Sequence, residues 1–296
     1  MQRVQLRRAA AIITAMLIRS TFSNGVVVYQ SPRLLDLGVK HAFSTRIGGV
    51  SPVPFNSLNF GNPAEGERQD SAGNMAENYR RLLAGINLPT GQRAWVRQVH
   101  GCAVAVLQGP ADAQQSKRDR AAAGEVPPEF QGALAADAIV GSQPNVALTM
   151  RTADCVPILL AAGRGRVVAA IHAGWRGIVA DVVGHTIRQL GAMGIEPTEM
   201  IAAIGPAIGR DFFEVRGDVT AELRRVGLAA AIMHNPGGQD RVDLNLAVRR
   251  QLAHGGVLQV DFGDHCTYRD EGEFFSHRRD HGRTGRMAAV IAAACP

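Results

Sequence analysis

Two apolar runs near the middle of the chain, VPILLAA and VVAAIHA, are joined by the residues GRGR. Apolar runs of this length around a glycine turn are typical of two buried, neighbouring strands of an antiparallel sheet. A two-residue turn at Gly163-Arg164 would place Cys155 opposite His172, with their Cβ atoms about 4.5–5.5 Å apart. The sequence therefore predicts a β-hairpin that brings a thiol and an imidazole close enough to share a metal ion or a proton.

A purely structural interpretation of this pair stays open. Cysteine is often buried as a small, inert apolar residue, and a histidine at a strand end can be hydrogen-bonded without contacting a ligand. A shift of one residue in the pairing would also move Cys155 and His172 to opposite faces of the sheet. The pair alone is therefore not enough to indicate a function.

The four cysteines lie far apart in a chain of 296 residues that is 46% hydrophobic. A chain of this length buries a large core without disulfides, and it contains no CxxC pair. We therefore expect a reducing, cytoplasmic location, in which a special cysteine serves as a metal ligand or a nucleophile. The cysteines are Cys102, Cys155, Cys266 and Cys295.

The formal net charge is +6, but the basic residues are scattered along the chain. Nucleic-acid binding requires a basic patch, whereas scattered arginines near a pocket fit a small anion such as phosphate. We therefore expect no nucleic-acid partner. The apolar run of ten residues near the N-terminus is too short to span a bilayer, so no membrane partner is expected. The lack of a long heptad pattern favours a monomer.

Short neighbouring strands mixed with helices predict an α+β fold of layered sheets. We expect residues 1–25 to be an N-terminal extension outside the fold and residues 26–296 to form a single catalytic domain. Ser71 and Asp243 are predicted to begin helices as N-caps. Helices are predicted at residues 69–88, 178–194, 218–227 and 243–256, and a polar surface excursion at about residues 110–132.

His100, at the end of a predicted strand in QVHG, is a third candidate beside Cys155 and His172. A single histidine at such a position is more often structural. If the three side chains meet, however, two imidazoles and one thiolate with an open fourth position describe a catalytic zinc centre. Zinc in such a centre lowers the pKa of a bound water molecule toward about 7 and polarises a substrate group.

Several arginines are candidates for binding phosphate. Arg46 stands beside a glycine pair in STRIGG, where a guanidinium can grip a phosphate at two oxygen atoms. Arg176 in GWRG, and Arg278 or Arg279 in SHRRD, are weaker candidates. Each of these could equally be a solvated surface charge.

The residue that moves protons is not fixed by the sequence. Asp154 is adjacent to Cys155, but neighbouring side chains of a strand point to opposite faces, so Asp154 should point away from a metal ion. Asp137 and His277 are alternatives, and both could instead bind backbone groups in turns. Asn59 could hydrogen-bond a ribose or only hold its own loop.

Beyond these residues, a series of motifs resembles the YfiH-like family from about residue 31 to residue 295. Members of this family also carry the names laccase-domain protein, multicopper polyphenol oxidase and peptidoglycan editing factor. The departures are the N-terminal extension, the longer excursion at residues 110–132, and His277 where many relatives have tyrosine. The motifs are, in order, HAFSTRIGGVS, SLNFGN, QVHG, ADAIV, TADCVPILL, HAGWRG, AAIGPAIG, FEV, DLN, CTY and FFSHRRDHGRTGRMAAVI.

The resemblance implies a single-domain fold of layered α/β/β/α mixed sheets and a zinc ion held by His100, Cys155 and His172. It also implies purine nucleoside chemistry, namely phosphorolysis of adenosine, inosine and methylthioadenosine, and deamination of adenosine to inosine. The H-x-E and P-C-x-x-C signature of the zinc nucleobase deaminases is absent from this sequence. Deamination would therefore use a different arrangement of residues.

Laccase chemistry is disfavoured by the histidine pattern. Multicopper oxidases assemble several copper ions with many histidines, typically in His-x-His pairs, and none of the nine histidines here forms such a pair. Copper could still occupy a site of two histidines and one cysteine adventitiously, because it exceeds zinc in raw affinity.

Two further alternatives stay open. The fold of the family resembles that of bacterial toxin deamidases, in which a cysteine attacks the substrate without a metal. Cys155 would then be the nucleophile and His172 its base. The other alternative is a peptidoglycan editing factor or binding module, in which a metal contributes only to structure.

Overall fold

Two β-sheets packed face to face form the centre of the molecule. The computed structural model describes residues 13–62, 68–88, 92–107 and 131–295. Within these ranges the strands are β1 (Ile18–Thr21), β2 (Val27–Gln30), β3 (Lys40–Ser44), β4 (Arg93–Arg97), β5 (Val104–Leu107), β6 (Gln131–Ala135), β7 (Ala138–Gly141), β8 (Ala147–Thr152), β9 (Val156–Ala162), β10 (Val167–Ala173), β11 (Ile201–Ile204), β12 (Ile232–Met233), β13 (Arg241–Val242), β14 (Gln259–Phe262) and β15 (Met287–Ala292).

Helices lie outside the two sheets. None of the helices in the described ranges is long and apolar enough to cross a bilayer. These helices are α1 (Pro32–Asp36), α2 (Ala72–Gly85), α3 (Trp175–Val179), α4 (Val182–Ala192), α5 (Gly217–Arg225) and α6 (Leu244–His254).

The layers follow from which faces are buried. The first sheet has the strand order β1-β2-β3-β15-β8-β4-β6 and the second the order β14-β11-β9-β10-β7-β5, while β12 and β13 form a separate pair. Phe43 and Met150 of the first sheet pack between the sheets against Leu159 and Val168 of the second. Helix α2 covers the outer face of the first sheet, and α3 to α6 cover that of the second. The predicted α+β fold with α/β/β/α layers is confirmed.

The predicted hairpin is present as β9 and β10, but its register differs from the prediction. Ala162 pairs with Val167, and Pro157 pairs with His172. The predicted pairing of Cys155 with His172 is therefore wrong, and Cys155 lies just before β9 begins. The register differs by two residues, which leaves each side chain on its predicted face because side chains alternate with a period of two.

The longer turn explains the difference in register. The turn spans residues 163–166, twice the length that the prediction allowed. Gly163, Arg164 and Gly165 all have positive φ, at +55°, +58° and +83°. Glycine adopts such angles without a steric cost, so this glycine-rich turn can extend beyond the two residues of a type II′ turn.

The N-terminal segment differs from the expected extension. The Ile13 N–H donates to the carbonyl oxygen of Leu258 at 2.8 Å, and Met16 bridges to Phe262 along β14. Strand β1 then pairs antiparallel with β2. Within the described residues, the chain from Ile13 onward is therefore paired with the rest of the fold, because the apolar segment supplies partners to the edge of β14, whose backbone groups would otherwise face solvent.

The predicted helix starts are confirmed at two positions. The side chains of Ser71 and Asp243 accept N–H groups from the first turns of α2 and α6, at 3.0 and 2.8 Å. The single helix predicted at residues 178–194 is instead divided into α3 and α4. Asp181 interrupts it, because its φ of +62° is left-handed and its side chain caps α4. The predicted excursion at residues 110–132 lies outside the described residues up to residue 130.

His41 of β3 is fully buried and held in one neutral tautomer. Its Nε2 accepts the Ser31 N–H at 2.8 Å, and its Nδ1 lies 2.9 Å from the Val39 carbonyl oxygen. Burial lowers the pKa of His41 to about 4, against the pull of the Asp261 carboxylate. A proton added at Nε2 would meet the Ser31 N–H, so the folded state excludes it.

Because of His41, we expect the folded protein to become less stable as the pH decreases. Between its ordinary pKa of 6.5 and about 4, the unfolded chain binds a proton that the folded chain does not. The free energy of unfolding should therefore fall by up to about 3 kcal/mol as pH decreases through this window. Urea unfolding of the wild type and of His41→Gln at pH 7.5 and 4.5 measures this difference, with the exposed His254→Gln as the control. An equal pH dependence in all three proteins would contradict the prediction.

Candidate metal centre and its cavity

Three side chains from different strand ends converge. His100 follows β4, Cys155 lies between β8 and β9, and His172 is the penultimate residue of β10. Their ligand atoms all lie within 4.8 Å of one another, and the two imidazole rings meet edge to face with centroids 4.9 Å apart. In the described part of the chain, this is the one cluster of His, Cys, Asp or Glu whose geometry could hold a metal ion.

The backbone turns sharply at two places in this cluster. His100 has a φ of +59°, and Asp154, directly before Cys155, has a φ of +88°. The Asp154 carboxylate holds this conformation, because it accepts the Thr267 hydroxyl at 2.6 Å and the Arg278 N–H at 2.7 Å. Asp154 is therefore directed to these two segments, in agreement with the prediction that it points away from the metal ligands.

Asp137 connects two of the three cluster residues. Its carboxylate lies 2.8 Å from Nδ1 of His172 and accepts the N–H groups of Val99, His100 and Gly101 at 3.2, 3.0 and 2.6 Å. Burial raises the pKa of Asp137, but these hydrogen bonds outweigh it and lower the pKa overall. With Nδ1 donating to Asp137, the Nε2 atom of His172 is left as the ligand atom.

The cluster favours a thiolate. Burial raises the pKa of the Cys155 thiol, but the neighbouring imidazoles of His172 and His100 outweigh it and lower the pKa to about 6. For His172 the directions are reversed, because burial lowers its pKa, whereas Cys155 and Asp137 outweigh burial and raise the pKa to about 9. A thiolate is the form of cysteine that binds metals and attacks electrophiles, so Cys155 is suited to either task at neutral pH.

Gly174 makes the close approach of these side chains possible. A Cβ atom at this position would lie 2.8 Å from Cδ2 of His100 and 3.0 Å from Sγ of Cys155. Its φ of −75° and ψ of 167° are open to any residue, so the requirement for glycine comes from space rather than from backbone conformation.

We expect Gly174→Ala to weaken metal binding about tenfold to a hundredfold, the range seen when residues that orient metal ligands are altered. A competition titration with a zinc chelator measures this change. Gly191→Ala is the control, because a Cβ at Gly191 of α4 meets nothing within 4 Å and alanine favours a helix. Equal metal affinity in the two variants would contradict the prediction.

A cavity of about 800 Å³ contains the cluster. Its described lining includes four histidines and three arginines but no aspartate or glutamate. A cleft lined by charge of one sign raises the local concentration of the opposite ion, so this cavity favours anions. The lining residues are Asn62, Gln98, His100, Arg151, Thr152, Ala153, Cys155, His172, His277, His281, Gly282, Arg283 and Arg286.

Among the predicted proton-transfer residues, His277 lines this cavity. Burial and the nearby Arg286 lower the pKa of His277, so its imidazole is neutral at neutral pH and can accept a proton. Asp137 does not line the cavity, because its carboxylate is enclosed by the hydrogen bonds to His172 and to the segment that carries His100.

Arg46 lies in a separate pocket of about 670 Å³, lined also by Glu271, Asp280 and Arg283. Its Nε donates to the Asn56 carbonyl oxygen at 2.7 Å, and its Nη1 donates to the Glu271 carbonyl oxygen at 3.1 Å. Arg283 lines both pockets. The structure therefore does not bring Arg46 together with the three cluster residues, and its guanidinium is occupied by backbone groups.

The other predicted contacts also lie outside the cavity lining. Arg176 is exposed and stacks on Trp175, with 4.4 Å from its Cζ to the ring centroid. Arg278 donates through Nη1 to the Glu214 carbonyl oxygen at 3.0 Å. Asn59 is fully buried and hydrogen-bonds the Asp70 carboxylate and the backbone N–H groups of Gly61 and Arg286.

Sequence reasoning missed Arg151 and Arg286, which the structure places in the cavity lining. A signal was present in the sequence, because Arg151 stands four residues before Cys155 and Arg286 directly precedes the apolar strand MAAVIA. Their proximity could not be read from it, since it depends on the pairing of β8 with β15.

Comparison with known proteins finds relatives that match most of the chain. The family model described as "Multi-copper polyphenol oxidoreductase laccase" matches residues 40–294. "Purine nucleoside phosphorylase YfiH" of Escherichia coli (strain K12) is 39% identical over 257 residues, which cover 86% of this chain and 93% of that protein. "Purine nucleoside phosphorylase" of Deinococcus radiodurans is 36% identical over 259 residues, which cover 88% and 91%.

A solved structure shows the same fold. The crystal structure of YlmD from Geobacillus stearothermophilus superposes with a TM-score of 0.77 at 30% identity, covering 94% of this chain and 100% of that chain. The sequence and the fold thus match the same group of proteins over most of their length. The chain belongs to the YfiH-like family, whose model carries the multi-copper polyphenol oxidoreductase laccase description.

Proposed function

We propose that this protein is a zinc-dependent purine nucleoside phosphorylase, which transfers the sugar of a purine nucleoside to inorganic phosphate. The observation that carries this proposal is the convergence of His100, Cys155 and His172 in a cavity whose described lining is cationic and free of carboxylates. The relatives named purine nucleoside phosphorylase supply the substrate class.

The ligand set is suited to zinc. Zinc binds histidine nitrogen at about 2.0–2.1 Å and cysteine sulfur at about 2.3 Å, so tetrahedral ligand atoms lie about 3.3–3.6 Å apart. The ligand atoms of the cluster, all within 4.8 Å of one another, can reach this range by small side-chain rotations. Three protein ligands leave a fourth position open, which is the arrangement of catalytic zinc.

Zinc, when bound, supplies a Lewis acid that polarises a substrate group or activates water. The residues of the chain prepare the site for it. Asp137 fixes the orientation and tautomer of His172 and holds the backbone of the segment that carries His100. His277 lines the cavity with a neutral imidazole and is the proposed acid or base.

The finer assignments belong to the same proposal. We expect adenosine, inosine and methylthioadenosine as nucleosides, with deamination of adenosine to inosine as a second reaction at the same site. We expect a cytoplasmic monomer, and copper only as an adventitious occupant of the zinc site. Arg46 has no role in phosphate binding in this proposal, because its guanidinium faces a different pocket.

One observation favours a metal-free cysteine hydrolase as the second candidate. Such an enzyme needs an orienting partner for its histidine base, and Asp137 lies 2.8 Å from Nδ1 of His172. It gives no role to His100, however, whose ring lies directly beside the pair. The meeting of all three ligands is the reason to prefer the zinc enzyme.

A laccase mechanism receives less support. It requires several copper ions held by many histidines, whereas the described residues contain one cluster with metal-ligand geometry. The described cluster also includes a cysteine between two histidines, which suits a single zinc ion.

Product analysis tests the proposed reaction. Zinc-loaded protein is incubated with adenosine, with and without inorganic phosphate, and the products are separated by chromatography. Adenine and ribose 1-phosphate that form only with phosphate would establish phosphorolysis, and inosine that forms without phosphate would establish deamination. Release of adenine independent of phosphate, or no conversion by fully zinc-loaded protein, would contradict the proposed phosphorylase.

A further inference from the structure

The side chains of Arg151, in β8, and Arg286, directly before β15, lie next to each other. Arg151 of β8 pairs with Ala288 of β15. Arg286 directly precedes β15, two residues before Ala288, and lines the same cavity as Arg151. Gly61 lies between them, because a Cβ atom there would be 3.1 Å from Cδ and Nη1 of Arg151 and 3.4 Å from Cγ of Arg286.

Both backbones are fixed by neighbouring polar groups. The Gln98 side chain accepts the Arg151 N–H at 2.9 Å and donates to the Arg151 carbonyl oxygen at 2.7 Å. Asn59 accepts the Arg286 N–H at 2.9 Å, and the Phe60 N–H donates to the Arg286 carbonyl oxygen at 3.0 Å. The two side chains therefore project from fixed backbone positions. This lowers the conformational entropy that is lost when a ligand orders the side chains.

Neither guanidinium has a carboxylate partner within the described residues. The Nη1 atom of Arg286 donates to the carbonyl oxygens of Thr284 and Gly285 at 2.8 and 3.0 Å, and no hydrogen bond of the Arg151 guanidinium is found there. Burial, together with the positive charge of Arg151, lowers the pKa of Arg286, and the negative charges of Asp154 and Cys155 oppose this shift only in part. Two adjacent like charges cost free energy, and an anionic ligand is the partner that would offset this cost.

Other arginines near the site are already engaged. Arg279 pairs with Asp280 at 2.9 Å and donates to three backbone carbonyl oxygens. Arg46 and Arg278 donate to backbone carbonyl oxygens outside the cavity lining. Arg283 also lines the cavity, but it is exposed to solvent, whereas Arg151 and Arg286 are half-buried. Among the described residues, Arg151 and Arg286 are therefore the half-buried arginines of the cavity lining that have no carboxylate partner.

We propose that Arg151 and Arg286 form the phosphate subsite of this cavity and bind inorganic phosphate through their guanidinium groups. The role of this phosphate as a co-substrate rests on the proposed phosphorylase function, whereas the binding of phosphate does not. In the reaction, a phosphate oxygen forms a bond to C1′ of the sugar as the bond from C1′ to the base nitrogen breaks. The electron pair leaves with the base, and the proton lost by hydrogen phosphate balances the proton that the base gains.

Direct binding of inorganic phosphate tests the subsite without turnover. Isothermal titration calorimetry is carried out with zinc-loaded wild type, Arg151→Gln and Arg286→Gln, with Arg250→Gln on the exposed surface of α6 as the control. We expect the Kd for phosphate to rise about tenfold to a hundredfold in each subsite variant, as charge-assisted hydrogen bonds are lost. Zinc content and thermal unfolding show whether each variant keeps its fold and its metal.

Lysine variants provide a second test in case a glutamine variant does not fold. Arg151→Lys and Arg286→Lys keep the positive charge but lose the two-pronged grip on phosphate, so their Kd values should lie between those of the wild type and the glutamine variants. In steady-state kinetics, the KM for phosphate should rise in parallel with the Kd, whereas the KM for inosine should change by less than about threefold. Phosphate affinity unchanged in all four variants would overturn the subsite.

The two arms of the experiment separate this proposal from the proposed function. Phosphate binding that is present in the wild type and lost in the subsite variants, without cleavage of any nucleoside, would support the subsite and contradict the phosphorylase function. If the wild type cleaves inosine with phosphate and the variants keep its phosphate Kd and KM, the phosphorylase function stands and the subsite fails.

Discussion

Replacing Cys155 with alanine is expected to remove the bound zinc and to lower the rate of phosphorolysis by about a thousandfold or more. Cys155 supplies the one sulfur ligand among three converging side chains, and two histidines alone hold zinc weakly. Loss of the metal removes several kcal/mol of transition-state stabilisation, and each 1.36 kcal/mol corresponds to a factor of ten in rate.

Metal analysis and kcat for inosine, measured on the same preparations, check this expectation. Cys295→Ala is the matched control, because Cys295 is exposed at the end of the described chain and should change neither quantity. A Cys155→Ala protein that keeps a full complement of zinc but has no activity would instead indicate a cysteine nucleophile, and one that keeps both would refute any role for Cys155.

Asp137→Asn is expected to affect both stability and metal binding. The Asp137 carboxylate is fully buried and accepts three backbone N–H groups besides contacting His172. Asparagine keeps the shape but turns an NH₂ group toward these donors. We expect a loss of about 3 kcal/mol in the free energy of unfolding, because buried donors are left unpaired next to a lost charge. Zinc affinity should fall about tenfold to a hundredfold, because His172 loses its orienting partner.

Urea unfolding of metal-free protein separates the loss of stability from the loss of zinc, and a chelator competition measures zinc affinity. Asp211→Asn is the control, since the Asp211 side chain is 63% exposed and lies 3.9 Å from its nearest partner, Arg210. A change confined to zinc affinity would mean that the backbone contacts of Asp137 contribute little to the fold. Unchanged zinc affinity would contradict the role assigned to Asp137.

Local signals in the sequence were enough to predict the parts of the fold that depend on local interactions. The side-chain caps at Ser71 and Asp243 lie where they were predicted because a cap depends on residues within one turn of a helix. The hairpin of β9 and β10 was predicted from its two apolar runs, but its register was not, because three consecutive positive φ angles lengthen the turn.

The candidate site also contains some residues that the sequence indicated and others that only the fold brings together. The sequence, together with the family resemblance, indicated His100, Cys155 and His172 as ligands, and the structure brings them together. The place of Arg46 could not be predicted, because it depends on contacts with the distant residue Glu271. Arg151 and Arg286 are neighbours only through the pairing of β8 with β15, which no local pattern reveals.

Stepwise return of zinc to metal-free protein tests the central claim most directly. Phosphate-dependent release of hypoxanthine from inosine is recorded after each addition. The zinc centre proposed at His100, Cys155 and His172 predicts that activity rises linearly and stops rising at about one zinc per chain. Full activity in metal-free protein, or zinc binding at this stoichiometry without any phosphate-dependent release of base, would contradict it.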